Sequence, residues 1–441
     1  MTRKPWPNTG FQKREKSYTM TMPRETFTLL NRLSGPDLLI HPERCVLVRH
    51  KNADCLKCAE ACTSGAISAN EDGLAVDPDK CIGCGTCASV CPTCALEPAA
   101  PDDQILAKSA AAVVKDTQGC VTFACSNALE DAGKKKVPGC VEVACLGRIE
   151  PTELIELAAR GALRVFMAHG DCDTCPHASG RSVAEYSADE ARDLLEAFGL
   201  EMAIDFCDDV PVLEPAAQET PEGASKVRSF TLKHLAKLEA TPRELIDAAS
   251  DIVAEREGFE DGLYCQPKPK EEDETTANDD ASEEEESPQK LPHVAKDGAL
   301  PQFVPVRRTR LFNCLKALGE PVLETLQTGL WGTVSIDPDR CDSCRMCAVF
   351  CPTGALRRHD GEGDDFGVTH QATFCVQCGT CEAICPQGAI TVSPETNLAN
   401  FMRGQKELLA MKRPDWEPNQ YDSIFKKMIG LLGSENNLAV Y

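Results

Sequence analysis

Between residues 119 and 207 the apolar positions alternate in some stretches and recur at helical spacing in others. In GCVTFAC (119–125), Val121 and Phe123 alternate with polar or small residues; Val141 and Val143 do the same in GCVEVAC (139–145). Both stretches are predicted as short strands. PTELIELAAR is predicted as a helix starting near Thr152. LRVFMAHG then returns to a strand that runs into Cys172 and Cys175. Residues 186–198 read as a further helix, and MAIDFC as a last strand ending at Cys207. Strands alternating with helices predict a small parallel sheet with right-handed crossovers.

Other segments carry weaker patterns. Residues 225–262 place Leu232, Leu235, Leu238, Leu245, Ile246 and Ile252 at roughly helical spacing. RLFNCLKALGEPVLETLQTGL (310–330) reads as a helix interrupted near Gly319–Pro321, and the tail from Asn397 onward as partly helical. Between them lies QPKPKEEDETTANDDASEEEESPQK. Its positions 271–286 hold ten acidic residues and no basic one. Such a run cannot bury a core and repels itself, so it is expected to be a disordered, flexible tether.

The chain has 441 residues, enough for several domains. Its formal net charge of −23 argues against nucleic acid, whose phosphates need a basic footprint. No apolar run is long enough to span a bilayer. The basic N-terminus lacks an apolar signal core. A cytoplasmic location without direct membrane insertion is therefore expected.

The compositional outlier is cysteine, with 26 residues against 8 histidines in no paired-ligand spacing. The cysteines cluster at short repeated intervals, which points to metal binding by soft thiolates, as iron–sulfur or zinc. Cys81, Cys84, Cys87 and Cys91 form C-x2-C-x2-C-x3-C followed by Pro92. Cys341, Cys344, Cys347 and Cys351 repeat it with Pro352, and Cys375, Cys378, Cys381 and Cys385 with Pro386. CLKCAEACTSGAI (55–67) is a fourth, degenerate copy holding Cys55, Cys58 and Cys62. Two-residue gaps let a loop wrap one cube and present three thiolates.

These stretches resemble bacterial two-cluster ferredoxins. In that family the first three cysteines of a motif hold one [4Fe–4S] cubane and the fourth holds the other. The resemblance implies one cluster on Cys341, Cys344, Cys347 and Cys385, and another on Cys375, Cys378, Cys381 and Cys351. It implies a third on Cys81, Cys84, Cys87 and Cys62. The fourth would take Cys55, Cys58, Cys91 and, further back, Cys45. Nine residues separate Cys45 from Cys55 where two are usual, and Thr63 stands where proline is expected. A loop-out of that length costs little closure entropy; the alternative is a cluster that is lost or has three irons. Cys94 replaces the glycine of CPTGAL and is expected to pack rather than ligate.

Strand geometry sorts the middle cysteines. At about 3.3 Å per residue, Cys120 and Cys125 would lie roughly 15 Å apart. Cys125, Cys145, Cys172, Cys175 and Cys207 fall at C-terminal strand ends, the edge where open α/β sheets bind ligands. They are the candidate ligands, and Cys120 and Cys140 are expected to be packed thiols. The stretch from Val141 to Cys175, with Cys145, LGRIEP and a second cysteine loop, resembles the delta subunit of methyl-viologen-reducing hydrogenase. That resemblance, over roughly residues 118–180, implies a [2Fe–2S] cluster and matches Cys145 and Cys175, while the loop spacing departs from the family. With Cys125 and Cys172 from the strand ends these are the candidate ligands, and zinc and unligated thiols are the alternatives. It also implies partner oxidoreductase subunits, a hydrogenase- or heterodisulfide-reductase-like flavoprotein among them.

The expected fold class is α+β: two dicluster ferredoxin-like modules flank a small α/β parallel-sheet domain, with an acidic disordered linker. The expected division is a poorly ordered segment at 1–35, a dicluster module at 36–100, the α/β domain at 115–210, a helical segment at 225–264, the linker at 265–300, a helical segment at 301–330, the second module at 331–395 and a tail at 396–441. The expected cofactors are four [4Fe–4S] clusters and one [2Fe–2S] cluster. The expected function is a non-catalytic, anaerobic electron-transfer subunit of an oxidoreductase, whose tether lets the C-terminal module swing between docking sites. A self-contained reductase and a redox-sensing regulator are the alternatives. No G-x-G-x-x-G fingerprint and no nucleophile–base constellation favours the former.

Overall fold

The computed structural model describes residues 38–50, 52–70, 73–98, 101–133, 137–213, 300–363 and 365–413. The expected N-terminal segment at 1–35, the helical segment at 225–264 and the acidic linker up to 299 lie outside them.

The N-terminal module comprises β1 (Leu38–Ile40), α1 (Val46–Arg49), α2 (Lys57–Ala61), β2 (Ile67–Asn70), β3 (Gly73–Val76), α3 (Thr86–Ser89) and β4 (Leu96–Pro98). β1 pairs antiparallel with β4, and β2 with β3. His41 and Arg44, just after β1, both reach Glu97 on β4, Arg44 at 2.7 Å. This pairing closes the module around the cysteine loops.

The middle domain begins with α4 (Asp103–Asp116), capped by Asp102, whose carboxylate accepts from the Ile105 N–H at 2.7 Å. β5 (Cys120–Cys125), α5 (Ser126–Asp131), β6 (Cys140–Val143), α6 (Pro151–Ala159), β7 (Arg164–Ala168), α7 (Ser179–Ala197) and β8 (Ala203–Cys207) follow. All four strands are parallel, in the order β6-β5-β7-β8. The predicted parallel sheet is thus present. α6 starts on Pro151 with Glu153 in its first turn, as helix starts favour. α7 begins at Ser179, well before the expected 186, because small residues such as Gly180 and Ala184 let it pack closely.

After residue 300 comes α8 (Val306–Leu318), which ends at Gly319 with φ +106°. The chain does not resume a helix beyond Pro321 as expected; it forms β9 (Thr325–Gln327). The C-terminal module comprises β10 (Thr333–Ile336), α9 (Met346–Phe350), β11 (Leu356–Asp360), β12 (Phe366–His370), α10 (Thr380–Ile384), β13 (Ile390–Ser393), β14 (Glu395–Asn397), α11 (Leu398–Met402) and β15 (Glu407–Ala410). β10 pairs with β13, and β11, β12 and β15 form one antiparallel sheet. The residues expected to form a tail therefore include a strand of the module, and among the described residues only α11 is helical there.

In this structure the C-terminal module is packed against the rest of the protein. Leu311, Phe312, Cys314 and Leu315 of α8 belong to the same buried core as β5, β7 and α7. Trp331 and Phe401 join that core and stack at 4.2 Å between ring centroids. Each such apolar side chain contributes on the order of 2 kcal/mol by burial. Across the two modules, Arg49 donates to the Pro301 carbonyl at 2.7 Å, and His50 meets Phe350 edge-on at 4.7 Å. Glu190 of α7 accepts from Thr328 at 2.5 Å. Among the described residues, no helix is long and apolar enough to cross a membrane.

Candidate metal centres

Three loops share one backbone conformation. In Cys81–Cys87, Gly83 and Gly85 have positive φ; in Cys341–Cys347, Ser343 and Arg345 do; in Cys375–Cys381, Gln377 and Gly379 do. The two left-handed residues turn each loop back on itself, so that its three thiols face one side. Arg345 and Gln377 adopt a conformation that favours glycine, a sign that the turn is imposed on the sequence. A further left-handed position follows each closing cysteine by three residues: Gly65, Cys94, Gly354 and Gly388. Cys94 is therefore a side chain set where the repeat turns on glycine, and it is buried.

The structure brings the expected thiols together in groups. Cys58 lies within electrostatic reach of Cys91, Cys55, Cys45 and Cys87, so the nine-residue excursion does return Cys45 to its partners. Cys87 lies within reach of Cys84, Cys62 and Cys81. In the C-terminal module Cys341 neighbours Cys385, and Cys347 neighbours Cys344 and Cys341. Cys381 neighbours Cys378, Cys375 and Cys351. A single cavity is bounded by Cys351, Cys375, Cys378 and Cys381 together.

The middle cysteines converge in the same way. Cys145 follows β6 and lies within reach of Cys125 and Cys175; Cys172 lies within reach of Cys125 and Cys175. Cys207 ends the edge strand β8, and its charged neighbours are Asp205, Asp208 and Asp209 rather than these thiols. Cys120 and Cys140 begin their strands, at the opposite edge of the sheet.

All described cysteines are free. Burial pushes the thiols of Cys375 and Cys145 up to about 12 and those of Cys55 and Cys378 to about 11. Without a cation, such sites hold neutral thiols; a bound metal reverses that penalty. Backbone N–H groups already point at sulfur: Ala95 at Cys91 (3.2 Å), Ala389 at Cys385 (3.3 Å), Ser343 at Cys341 (3.4 Å), His177 at Cys175 (3.4 Å) and Ala128 at Cys125 (3.5 Å). Amide donors of this kind stabilise thiolate and cluster charge. A donor set of sulfur alone, ringed by amides, fits iron–sulfur clusters.

Two relations between groups are not legible in the cysteine spacing. Cys84 lies within electrostatic reach of Cys145, so the N-terminal module meets the middle group. The contact is tight: a methyl on Gly147 would meet Thr86 Oγ1 at 2.6 Å, and Ser89 Oγ donates to the Gly147 carbonyl at 2.6 Å. Cys55 lies within reach of Cys378, so the two terminal modules meet thiol group to thiol group.

Comparison with known proteins agrees with this layout. Residues 340–390 match the family model of the 4Fe-4S dicluster domain, and residues 74–97 that of the 4Fe-4S binding domain. Residues 120–235 match the model of the methyl-viologen-reducing hydrogenase delta subunit. A stretch of 35 residues is 57% identical to a probable iron-sulfur subunit of the Frd operon of Proteus vulgaris, covering 8% of this chain and 22% of that protein. Another of 39 residues is 46% identical to Ferredoxin 7Fe of Hydrogenibacillus schlegelii, covering 9% and 50%. The chain spans half or less of these relatives. Segments toward both ends of the chain thus match 4Fe-4S domain models, and the segment between them matches the hydrogenase delta subunit.

Proposed function

We propose that this chain is the electron-relay subunit of a cytoplasmic oxidoreductase complex, with five carrier sites in one row. The proposed ligand sets are, in order, Cys125, Cys145, Cys172 and Cys175; then Cys62, Cys81, Cys84 and Cys87; then Cys45, Cys55, Cys58 and Cys91; then Cys351, Cys375, Cys378 and Cys381; and last Cys341, Cys344, Cys347 and Cys385. The first would hold a [2Fe–2S] cluster and the others [4Fe–4S] clusters, each supplying a reversible one-electron carrier when bound. Four thiols around Cys45 favour a four-iron over a three-iron group there.

The observation that carries the reading is the order of neighbours. Cys145 lies within electrostatic reach of Cys84, Cys87 of Cys91, Cys55 of Cys378, and Cys381 of Cys347. Each group thus has a thiol within electrostatic reach of the next, from the middle domain to the far end of the C-terminal module. The residues do the holding: left-handed turns aim the thiols, amides face the sulfurs, and burial keeps water from the inner sites. The delta-like domain at one end suits docking to a hydrogenase- or heterodisulfide-reductase-like partner, with another carrier served from the Cys341 end. Free thiols throughout the described chain suit a reducing compartment.

The test is anaerobic purification followed by iron and sulfide analysis and electron paramagnetic resonance. The expected result is about sixteen cubane irons plus about two more. Zinc in place of iron would overturn the reading.

A further inference from the structure

The buried arginines fall into two kinds. Most are neutralised by a carboxylate: Arg44 by Glu97, Arg148 by Asp103, Arg307 by Glu150, and Arg310 by Glu153 and Glu156. Arg49 and Arg308 are each only 7% exposed. Among the described residues, neither has a carboxylate partner.

Both stand against one thiol group. Arg308 of α8 donates to the carbonyls of Leu330 and Cys375, the latter at 3.2 Å. Arg49 comes from the other module. It donates through Nη1 to Pro301 at 2.7 Å and to Glu43 at 3.3 Å, and it lies within electrostatic reach of Cys351 and Cys378. Two nitrogens of each guanidinium, Nε and Nη2 of Arg49 and Nε and Nη1 of Arg308, have no hydrogen-bond partner. Arginine is seldom buried without an anion. The Cys351, Cys375, Cys378 and Cys381 thiols bound a common cavity near them and become negative when they hold a cluster.

We propose that Arg49 and Arg308 set the reduction potential of the cluster held by Cys351, Cys375, Cys378 and Cys381, making it the most readily reduced carrier in the row. This rests on the relay reading. One-electron uptake makes that centre one charge more negative, with no bond to the protein formed or broken. Two fixed positive charges in a low-dielectric site favour the reduced form and raise its midpoint. Because Arg49 belongs to the N-terminal module, the tuning exists only while the two modules are docked. Arg49 and Arg308 act through charge and are positioning residues.

The test uses the full chain, loaded with clusters, in a dithionite titration followed by electron paramagnetic resonance. Iron and sulfide are counted first. Arg49→Met and Arg308→Met are each expected to shift one midpoint to more negative potential and to leave the others in place. Arg49→Lys is expected to keep the wild-type midpoint. In the wild type, the signal altered by Cys378→Ser is expected to be the first to develop on reduction, a readout that does not depend on the Met variants folding. Full iron with unmoved midpoints in both Met variants would overturn the proposal, as would late reduction of the Cys378-dependent centre in the wild type. A wild-type protein without cubane iron would instead overturn the relay reading, and this inference with it.

Discussion

Arg310 Nη2 lies 2.5 Å from the Glu156 carboxylate, joining two helices that stand 154 residues apart in the chain. The same guanidinium reaches Glu153 at 3.1 Å. Burial pushes Glu153 up to about 7, whereas on Glu156 burial is the largest single effect but the combined pull of Arg310 and Arg160 exceeds it and holds the carboxyl below its ordinary range. Removing one partner from a buried pair leaves a charge without compensation, at about 3–5 kcal/mol. Arg310→Met should lower thermal stability by that amount. Adding Glu153→Gln and Glu156→Gln should restore part of it, read by denaturant unfolding under anaerobic conditions.

Cys94 occupies a left-handed position at φ +49°. Glycine there would relieve about 1 kcal/mol of backbone strain while giving up a small buried side chain. Cys94→Gly should therefore leave the iron content unchanged and stability within about 1 kcal/mol of wild type. Loss of four irons would show that Cys94 is a ligand after all.

The middle site can be removed without touching the cubanes. A methyl at Gly180 would overlap Cys145 Sγ. Gly180→Ala is expected to destabilise the domain by about 1–3 kcal/mol and to cut the iron of the middle group. Cys145→Ser should lose the same irons. In both variants the cubane signals should persist.

The β1–β4 closure carries a pH dependence. His41 is held up at about 8, chiefly by its hydrogen bonds to Glu43 and Glu97. Its ordinary value is near 6.5, so the folded protein binds the proton more tightly than the unfolded chain. The stabilisation is complete below about pH 6.5 and is lost as pH rises through about 8. It should amount to about 1 kcal/mol. The stability difference between wild type and His41→Gln should be visible at pH 6 and absent at pH 9.

The cysteine loops and the parallel sheet were legible because their determinants are local. A C-x2-C-x2-C spacing constrains a short loop whatever surrounds it, and the alternation of Val121 and Phe123 declares a strand before any partner is known. Cys45 stood out because a missing first ligand must lie upstream of Cys55, and the structure places it within electrostatic reach of Cys58. What stayed hidden was docking. No pattern in VRRTRLFNCLKAL marks Arg308 as facing Cys375, because the helix is basic and apolar on several sides at once. The acidic run suggested a mobile arm, yet the helix that follows it is locked by Arg310 and the Trp331–Phe401 stack. The residues after Pro321 looked helical by composition, but pairing of β9 with β14 supplied an extended alternative.

Docking of the two terminal modules also bears on how the molecule is made. The face of the N-terminal module around Arg49 and Cys55 is covered by segments synthesised late, from Pro301 onward. A ribosome builds the first half of the protein with that face still open to water. That face is covered only once the segment from Pro301 onward has been made and Arg49 can donate to the Pro301 carbonyl.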